Sequence, residues 1–211
     1  MPQLQGSPFT YRYEPASAEG LPVVLALHGT GGDEHDLIPV ARMIAPGAAV
    51  LSPRGNVLEQ GMPRFFRRLA EGVFDEEDLA RRTIELGDFL VAAAAHHGLD
   101  AGRIVAVGYS NGANIAASLL LARPRALAGA VLLRPMVPFE PASVPDLHGR
   151  RILVSAGERD PIIPRPLAAR LAQLLAAGGA DVTTRWYPGG HELSQREIDD
   201  AAEWLTTRFA Q

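Results

Sequence analysis

The chain has 211 residues, of which 47% are hydrophobic and 21% are charged, a balance typical of a globular protein that buries a full core. Its net charge of −4 argues against the basic face that nucleic-acid binding usually requires, so we expect no nucleic-acid partner. The absence of cysteine excludes disulfides, thiolate nucleophiles and cysteine-bound zinc or iron–sulfur clusters.

Neither the N-terminus nor any apolar run suggests export or membrane insertion. The first ten residues, MPQLQGSPFT, have no basic start and no apolar core, so we expect no signal peptide. Every apolar run is shorter than the roughly 18 residues that span a bilayer. Together with the lack of cysteine, these features predict a soluble protein of the cytoplasm.

The first half of the chain predicts three strands, one long loop and one helix. TYRYEP alternates polar and apolar residues, as an antiparallel edge strand does, whereas residues 23–27 and 48–51 are continuous apolar runs typical of buried parallel strands. Residues 53–73 form the one long irregular connection, and connections of that length in compact domains tend to be functional. A helix then begins after the N-cap Asp75 and ends at Gly98.

The second half alternates strands and helices. Apolar runs at residues 104–107, 130–133 and 152–154 predict buried strands, and residues 181–188 a partly exposed one. Helices are predicted at residues 110–123, after Pro164 and Pro166, and after a capping box of Ser194 and Glu197. We therefore expect one α/β domain over residues 1–211, with a mostly parallel central sheet and helices on both faces.

The segment VAVGYSNGAN places Ser110 at the junction of a predicted strand and a predicted helix, with Gly108 and Gly112 two residues away on either side. A Gly-x-Ser-x-Gly pattern by itself is weak evidence, because an ordinary turn has the same composition. Between a buried strand and a helix it is typical of a nucleophile elbow, where small neighbours let the two elements pass closely. The elbow also directs the helix N-terminus at the reacting carbonyl.

A serine hydroxyl is a poor nucleophile unless a general base and an orienting carboxylate assist it. Among six histidines, His191 in YPGGHELS follows the last predicted strand, at the edge of the sheet that carries Ser110. Asp160 follows the strand at 152–154 at the same edge, and Glu158 is the alternative acid. The order serine, acid, histidine is the one expected when the serine lies on such an elbow.

An acyl-transfer site also needs two main-chain N–H groups for the negative oxygen of the tetrahedral intermediate. We expect Asn111, directly after the serine, to supply one and Thr30 in the loop LHGTGG the other, with Gly29 or Gly31 as alternatives. That loop lacks the Lys-Ser/Thr pair of a phosphate loop, and GxGxxG is absent, so no nucleotide cofactor is expected. In HELSQ, Gln195 stands where a zinc helix has its second histidine, so we expect no metal.

Two loops at the same predicted edge are candidates for the substrate pocket. The first, MPRFFRRLAEGVF, combines three arginines with Phe65 and Phe66. It is either a substrate wall suited to aromatic or anionic groups, or a packed loop with solvated arginines. The second, LRPMVP, offers Met136 to the acyl pocket. Because no insertion is long enough for a large lid, we expect an open site for small to medium substrates.

Four segments resemble a known family: LALHGTGGDEHD, VAVGYSNGANIA, AGERDPIIP and PGGHELS are similar to the small α/β-hydrolases of the carboxylesterase/phospholipase type, which include acyl-protein thioesterases. LSPRGNVLEQGMPRFFRR and LRPMVP resemble a bacterial branch associated with hydroquinone and quinone resistance. The resemblance implies an α/β-hydrolase fold without a large cap domain and a cytoplasmic serine esterase, often a homodimer. It places Ser110, Asp160 and His191 at the triad positions and Thr30 and Asn111 at the oxyanion hole. Family members commonly have Gln or Gly after the serine, so Asn111 is a variant.

These features together predict a serine carboxylesterase that acts on small to medium acyl esters through an acyl-enzyme. An acyl-thioesterase or a lysophospholipase with the same triad is the alternative. The non-enzyme hypothesis is a catalytically dead hydrolase fold that serves as a binding module.

Overall fold

A seven-stranded sheet is the framework of the computed structural model, which describes residue 4 and residues 7–209. The strands of this sheet and of two small hairpins are, in chain order, β1 (Tyr11–Glu14), β2 (Val23–Leu27), β3 (Val50–Pro53), β4 (Val57–Glu59), β5 (Met62–Arg64), β6 (Arg68–Ala70), β7 (Val73–Phe74), β8 (Ile104–Tyr109), β9 (Gly129–Leu133), β10 (Arg151–Gly157) and β11 (Asp181–Tyr187). The sheet has the order β1-β3-β2-β8-β9-β10-β11. β1 is antiparallel to β3, and every other pair in the sheet is parallel. The predicted mostly parallel sheet is thus confirmed.

Helices cover both faces of this sheet: α1 (Ile38–Ile44), α2 (Glu76–His97), α3 (Asn111–Ala122), α4 (Arg165–Ala177) and α5 (Gln195–Phe209). α2, α3 and α4 contribute to one apolar cluster, and α1 and α5 to the other. Within β2, Leu25 and Leu27 join the first cluster while Val24 and Ala26 join the second. Because both faces of the strand are buried, its sequence shows no alternation. Within the described part of the chain, no helix combines the length and hydrophobicity needed to cross a membrane.

The parallel register brings the carboxyl ends of the strands to one edge of the sheet. Leu27 at the end of β2 lies opposite Gly108, and Tyr109 at the end of β8 lies opposite Leu133. Gly157 at the end of β10 pairs with Tyr187 at the end of β11. The loops that follow these strands therefore leave the sheet side by side, as expected for a site assembled from distant segments.

The long connection after β3 is more ordered than its sequence predicts. It forms two small antiparallel hairpins, β4–β5 and β6–β7. Gln60 and Gly61 both have positive φ (52° and 83°), the geometry of a type I′ hairpin turn, and Gly72 turns the second hairpin with φ 73°. Strands of two or three residues are too short to show a period of two, so the sequence of this connection has no strand pattern.

Helix α5 departs from the prediction at its start. The N–H of Glu197 donates to Ser194 Oγ at 3.4 Å, so the serine half of the capping box is present. The Glu197 carboxylate does not complete the box; it is buried and accepts hydrogen bonds from Arg134. A sequence pattern typical of a helix cap thus contains an acid whose partner lies far away in the chain.

Candidate active site

Ser110 lies in the sharp turn between β8 and α3, with φ 52° and ψ −111°. Few non-glycine residues adopt a positive φ, and such strain is typical of functional sites. A Cβ at Gly108 would lie 2.6 Å from the main-chain oxygen of Gly112, and a Cβ at Gly112 would overlap the main-chain oxygen of Leu27. Only glycine fits at either position, because the obstacles are backbone atoms. The elbow geometry therefore follows from the two glycines of the motif.

The structure brings Ser110, His191 and Asp160 together. His191 Nε2 lies 2.9 Å from Ser110 Oγ, and His191 Nδ1 lies 2.8 Å from Asp160 Oδ2. Since a carboxylate only accepts hydrogen bonds, His191 carries its proton on Nδ1, and Nε2 accepts from the serine hydroxyl. Glu158, the alternative acid, is exposed, and Asp160 is the residue that accepts the hydrogen bond from the imidazole.

Asp160 is itself fixed by its loop. Its side chain is 1% exposed, and its second oxygen, Oδ1, accepts from the N–H groups of Ile162 and Ile163 at 2.8 and 3.0 Å. These bonds orient the carboxylate so that Oδ2 faces His191. The acid thus has a defined geometry before any substrate binds.

Tyr109, for which the sequence predicts no role, also contacts His191. Its hydroxyl donates to the main-chain oxygen of His191 at 3.0 Å, and the two rings lie 5.4 Å apart. Burial raises the pKa of Tyr109, so the hydroxyl keeps its proton and remains a donor. A tyrosine at a variable position of the elbow motif carries no sequence signal for such a contact.

Thr30 and Asn111 both lie beside Ser110 at the cleft. Among residue 4 and residues 7–209, the main-chain N–H groups of Thr30 and Asn111 have no main-chain acceptor. Gly31, one alternative, donates its N–H to Pro63 at 2.9 Å. Gly29, the other, is not among the residues that line the cleft with Ser110.

The side chain of His28 connects the loop that contains Thr30 to the main chain at Gly55. This buried imidazole lies 2.6 Å from the oxygen of Gly29 through Nδ1, and Nε2 accepts from the N–H of Gly55 at 2.9 Å. One ring nitrogen therefore donates and the other accepts, which requires the neutral form. Burial is the main cause that lowers the pKa of His28, in agreement with that form.

A cleft of about 280 Å³ opens above the triad. Met136, the predicted acyl-pocket residue, lines it together with the apolar side chains of Phe74, Ile162 and Ile163. The polar side chains of Arg64, Arg68 and Glu71 line it as well. The cleft therefore offers both apolar and charged contacts to a substrate.

Phe65 and Phe66, the other predicted pocket residues, do not line the cleft. They are 1% and 0% exposed and belong to the core. Phe65 packs against His28 with ring centroids 4.7 Å apart, and Phe66 packs edge-on against Phe74 at 4.9 Å. The prediction is wrong for both because the segment turns its rings inward, where their large apolar area is removed from water.

The arginines of that segment divide between the cleft and the surface. Arg64 is buried, donates to Thr30 Oγ1 at 2.6 Å and forms an ion pair with Glu59 Oε2 at 3.1 Å, while Arg68 donates to Glu59 Oε1. Arg67 binds Asp75 at the exposed start of α2. Each of the two interpretations of this segment therefore describes part of it: its aromatic rings are packed, and two of its arginines form a wall of the cleft.

No group of three histidine or carboxylate side chains in the described ranges is arranged to hold a metal ion. His191, the histidine of HELSQ, is engaged by Ser110 and Asp160 instead. The side chains that meet here can perform nucleophilic attack by a hydroxyl, with proton transfer through the imidazole.

Known proteins resemble this chain in sequence and in structure. The profile of the phospholipase/carboxylesterase family matches residues 14–209. The chain is 50% identical over 192 residues to MhqD of Bacillus subtilis (strain 168), which is named as a hydrolase; the match covers 91% of this chain and 95% of that protein. It resembles the crystal structure of the Bacillus cereus carboxylesterase with a TM-score of 0.94 and 48% identity over 97% of both chains. Acyl-protein thioesterase 1 of Cryptococcus neoformans var. neoformans serotype D is 28% identical, over 86% of this chain and 90% of that protein.

Proposed function

The chain belongs to the phospholipase/carboxylesterase family, and from this premise we propose that it is a serine carboxylesterase that cleaves small to medium acyl esters through an acyl-enzyme. One observation carries the proposal: the continuous hydrogen-bonded series from Asp160 through His191 to Ser110, with distances of 2.8 and 2.9 Å at a cleft. A nucleophile, a base and an orienting acid within hydrogen-bond reach are what acyl transfer requires.

In the first half of the reaction, Ser110 Oγ attacks the ester carbonyl while His191 Nε2 takes the hydroxyl proton. The negative charge moves to the carbonyl oxygen, which the main-chain N–H groups of Thr30 and Asn111 stabilise. The carbonyl then re-forms, the bond to the alcohol breaks, and the imidazolium of His191 gives its proton to the leaving oxygen. Asp160 holds the imidazole in the correct tautomer and stabilises its charged form.

In the second half, water releases the acyl group from Ser110. His191 removes a proton from the water, whose oxygen attacks the acyl carbon, and the same oxyanion hole stabilises the second tetrahedral intermediate. The bond to Ser110 Oγ breaks as the imidazolium returns its proton to the serine. The products are a carboxylic acid and an alcohol, and the enzyme regains its starting state.

Replacement of Ser110 by alanine tests the proposal. We expect the purified wild type to hydrolyse a p-nitrophenyl ester and to be labelled by a fluorophosphonate, because both reactions need an activated serine. Ser110→Ala should lose the label and nearly all turnover while it keeps the unfolding midpoint of the wild type. Ser118→Ala is the matched control, since this serine is buried on α3 and bonds Thr83 rather than His191. A wild type that is neither labelled nor active would instead favour the binding-module hypothesis.

An acyl-thioesterase is the second candidate, because acyl-protein thioesterase 1 is among the related proteins. The same residues would act, with a thiolate as the leaving group in place of an alkoxide. Side-by-side kcat/KM values on an oxygen ester and a thioester with the same acyl group separate the two functions. A ratio well above one in favour of the oxygen ester supports the carboxylesterase, and the reverse ratio supports the thioesterase.

The location and the assembly of the protein are proposed on the family resemblance alone. It implies a cytoplasmic enzyme that often forms a homodimer. Light scattering on the purified chain measures its mass in solution, and a value near that of one chain would contradict the dimer.

A further inference from the structure

The segment that carries the histidine, residues 188–194, has no regular structure, yet side chains hold three successive carbonyl groups within it. Arg134 donates to the oxygen of Gly190 through Nε and to that of Glu192 through Nη2, both at 2.8 Å. Tyr109 donates to the oxygen of His191 between them. Carbonyl groups of irregular segments are usually hydrogen-bonded to water. Here three protein hydrogen bonds fix the backbone around His191 instead.

Arg134 is placed for this contact at the cost of an unfavourable backbone conformation. It directly follows β9, has φ 56°, and its N–H donates to the oxygen of Ser155 at 2.8 Å. Its side chain is 0% exposed, which is rare for an arginine. A strained backbone and a fully buried charge at one residue are typical of functional constraint rather than of simple packing.

Glu197 on α5 orients the guanidinium. Its two oxygens accept from Nη1 and Nη2 of Arg134 at 2.8 and 2.7 Å, a bidentate pair that fixes the plane of the group. In that plane Nε also lies 4.0 Å from Asp160 Oδ2, the oxygen that binds His191. One guanidinium therefore contacts the backbone on both sides of the histidine and lies beside its acid.

We propose that Arg134 is a positioning residue for the general base, oriented by Glu197. This inference rests on the proposed function, because it takes His191 to be the base. A buried ion pair contributes little net stability, and two apolar side chains of similar volume would often serve a core as well or better. An apolar pair cannot donate to the carbonyls of Gly190 and Glu192. The effect of the ion pair on stability and its effect on the position of His191 can therefore be separated by experiment.

The experiment compares Arg134→Met, Glu197→Met and the double variant. Each single variant leaves one buried charge without its partner, so we expect a lower midpoint of urea unfolding. The double variant should regain most of that midpoint. We expect its kcat on the p-nitrophenyl ester to stay about 10²-fold below wild type, with KM within about threefold, because a small displacement of the base slows the chemical step. Recovery of kcat to within about threefold of wild type would overturn the inference, since the pair would then be only structural.

Arg134→Lys provides a second, independent measurement. The ammonium keeps a positive charge beside Glu197, but it lacks the rigid fork that reaches both carbonyls and the carboxylate at once. We expect a folded protein whose kcat falls about tenfold at unchanged KM; a kcat equal to wild type would contradict the proposal.

Arg208→Met with Asp181→Asn is the matched control. This exposed ion pair lies at the start of β11, the opposite end of the sheet, and we expect its loss to leave kcat unchanged. If the wild type itself is inactive and unlabelled at Ser110, the proposed function fails and this inference with it. Recovery of kcat in the Arg134 and Glu197 double variant overturns the inference alone.

Discussion

Two regions that meet at the active site are built in different ways. The elbow around Ser110 is continuous with β8 and α3, and its shape follows from two glycines that no larger residue can replace. The segment 188–194 around His191 has no regular structure, and the side chains of Tyr109 and Arg134 hold its carbonyl groups. Backbone sterics shape the elbow that holds the proposed nucleophile, whereas side-chain hydrogen bonds hold the segment of the proposed base.

The difference predicts how each region responds to substitution. A larger residue in the elbow disturbs the contact between β2 and α3, which is part of the core, so stability and turnover should fall together. A conservative substitution at a side chain that hydrogen-bonds residues 190–192 leaves this contact intact and leaves no buried charge without its partner. Turnover should then fall while stability changes little. Three variants of decreasing effect test this contrast.

Asp160→Asn should have the largest effect on turnover and a small effect on stability. The amide oxygen of asparagine can still accept from the N–H groups of Ile162 and Ile163, so its NH₂ group faces His191 Nδ1. The imidazole must then carry its proton on Nε2 and cannot accept from Ser110. We expect kcat to fall on the order of 10⁴-fold, measured with the p-nitrophenyl ester. The free energy of unfolding in urea should change by less than about 1 kcal/mol.

Glu158→Gln is the control for this variant, because Glu158 is exposed two residues away. It should keep kcat within about twofold of wild type, as surface substitutions usually do. An inactive Glu158→Gln beside a nearly normal Asp160→Asn would reverse the assignment of the acid.

Gly112→Ala should lower stability and turnover together. The new Cβ would overlap the main-chain oxygen of Leu27, so β2 and α3 would have to separate. We expect the free energy of unfolding to fall by about 3 kcal/mol, with a parallel loss of turnover and of fluorophosphonate labelling.

Gly102→Ala is the matched glycine control. The nearest obstacle to its Cβ is the side chain of Asp100 at 3.2 Å, in an exposed turn before β8. Its stability should stay within about 0.5 kcal/mol of wild type. If Gly112→Ala lost turnover at full stability, the elbow would behave like the histidine segment and the contrast between the two regions would disappear.

Tyr109→Phe should have the smallest effect. It removes one of the three hydrogen bonds to the carbonyl groups of residues 190–192 and keeps the ring beside His191. One hydrogen bond contributes about 1 kcal/mol, which corresponds to about a fivefold loss of kcat if it acts through the position of the base. Tyr11→Phe is the control: it also loses a tyrosine hydrogen bond, to His97 at 3.1 Å, but on edge strand β1. Equal kcat values for both variants would show that the bond to His191 does not position the base.

Those residues of the candidate site that a local sequence pattern marks could be predicted. Gly108 and Gly112 mark the elbow because their small size is a steric requirement of the turn itself. Asp160 and His191 follow predicted strands, and parallel strands bring such residues to one edge. The inward orientation of Phe65 and Phe66 could not be predicted, because consecutive aromatic residues in a loop do not indicate which side of the segment is buried.

Other predictions stay predictions. That residues 1–211 fold as one domain, that the protein lies in the cytoplasm, and that it forms a homodimer without a nucleic-acid partner are expectations from composition and resemblance. Mass in solution and cell fractionation measure the assembly and the location directly.

The amino-acid sequence by itself determined the order of the seven strands of the main sheet and of helices α2 to α5, the elbow at Ser110 and the small set of acids and histidines that could serve it. These features depend on neighbouring residues, through apolar periodicity and the space that glycine leaves. Only the tertiary structure decided that Asp160 rather than Glu158 meets His191, that the phenylalanine rings turn inward, and that Arg134 meets Glu197 across 63 positions of the chain. Contacts of that range are set by the packing of the whole sheet and its helices, which no local pattern contains.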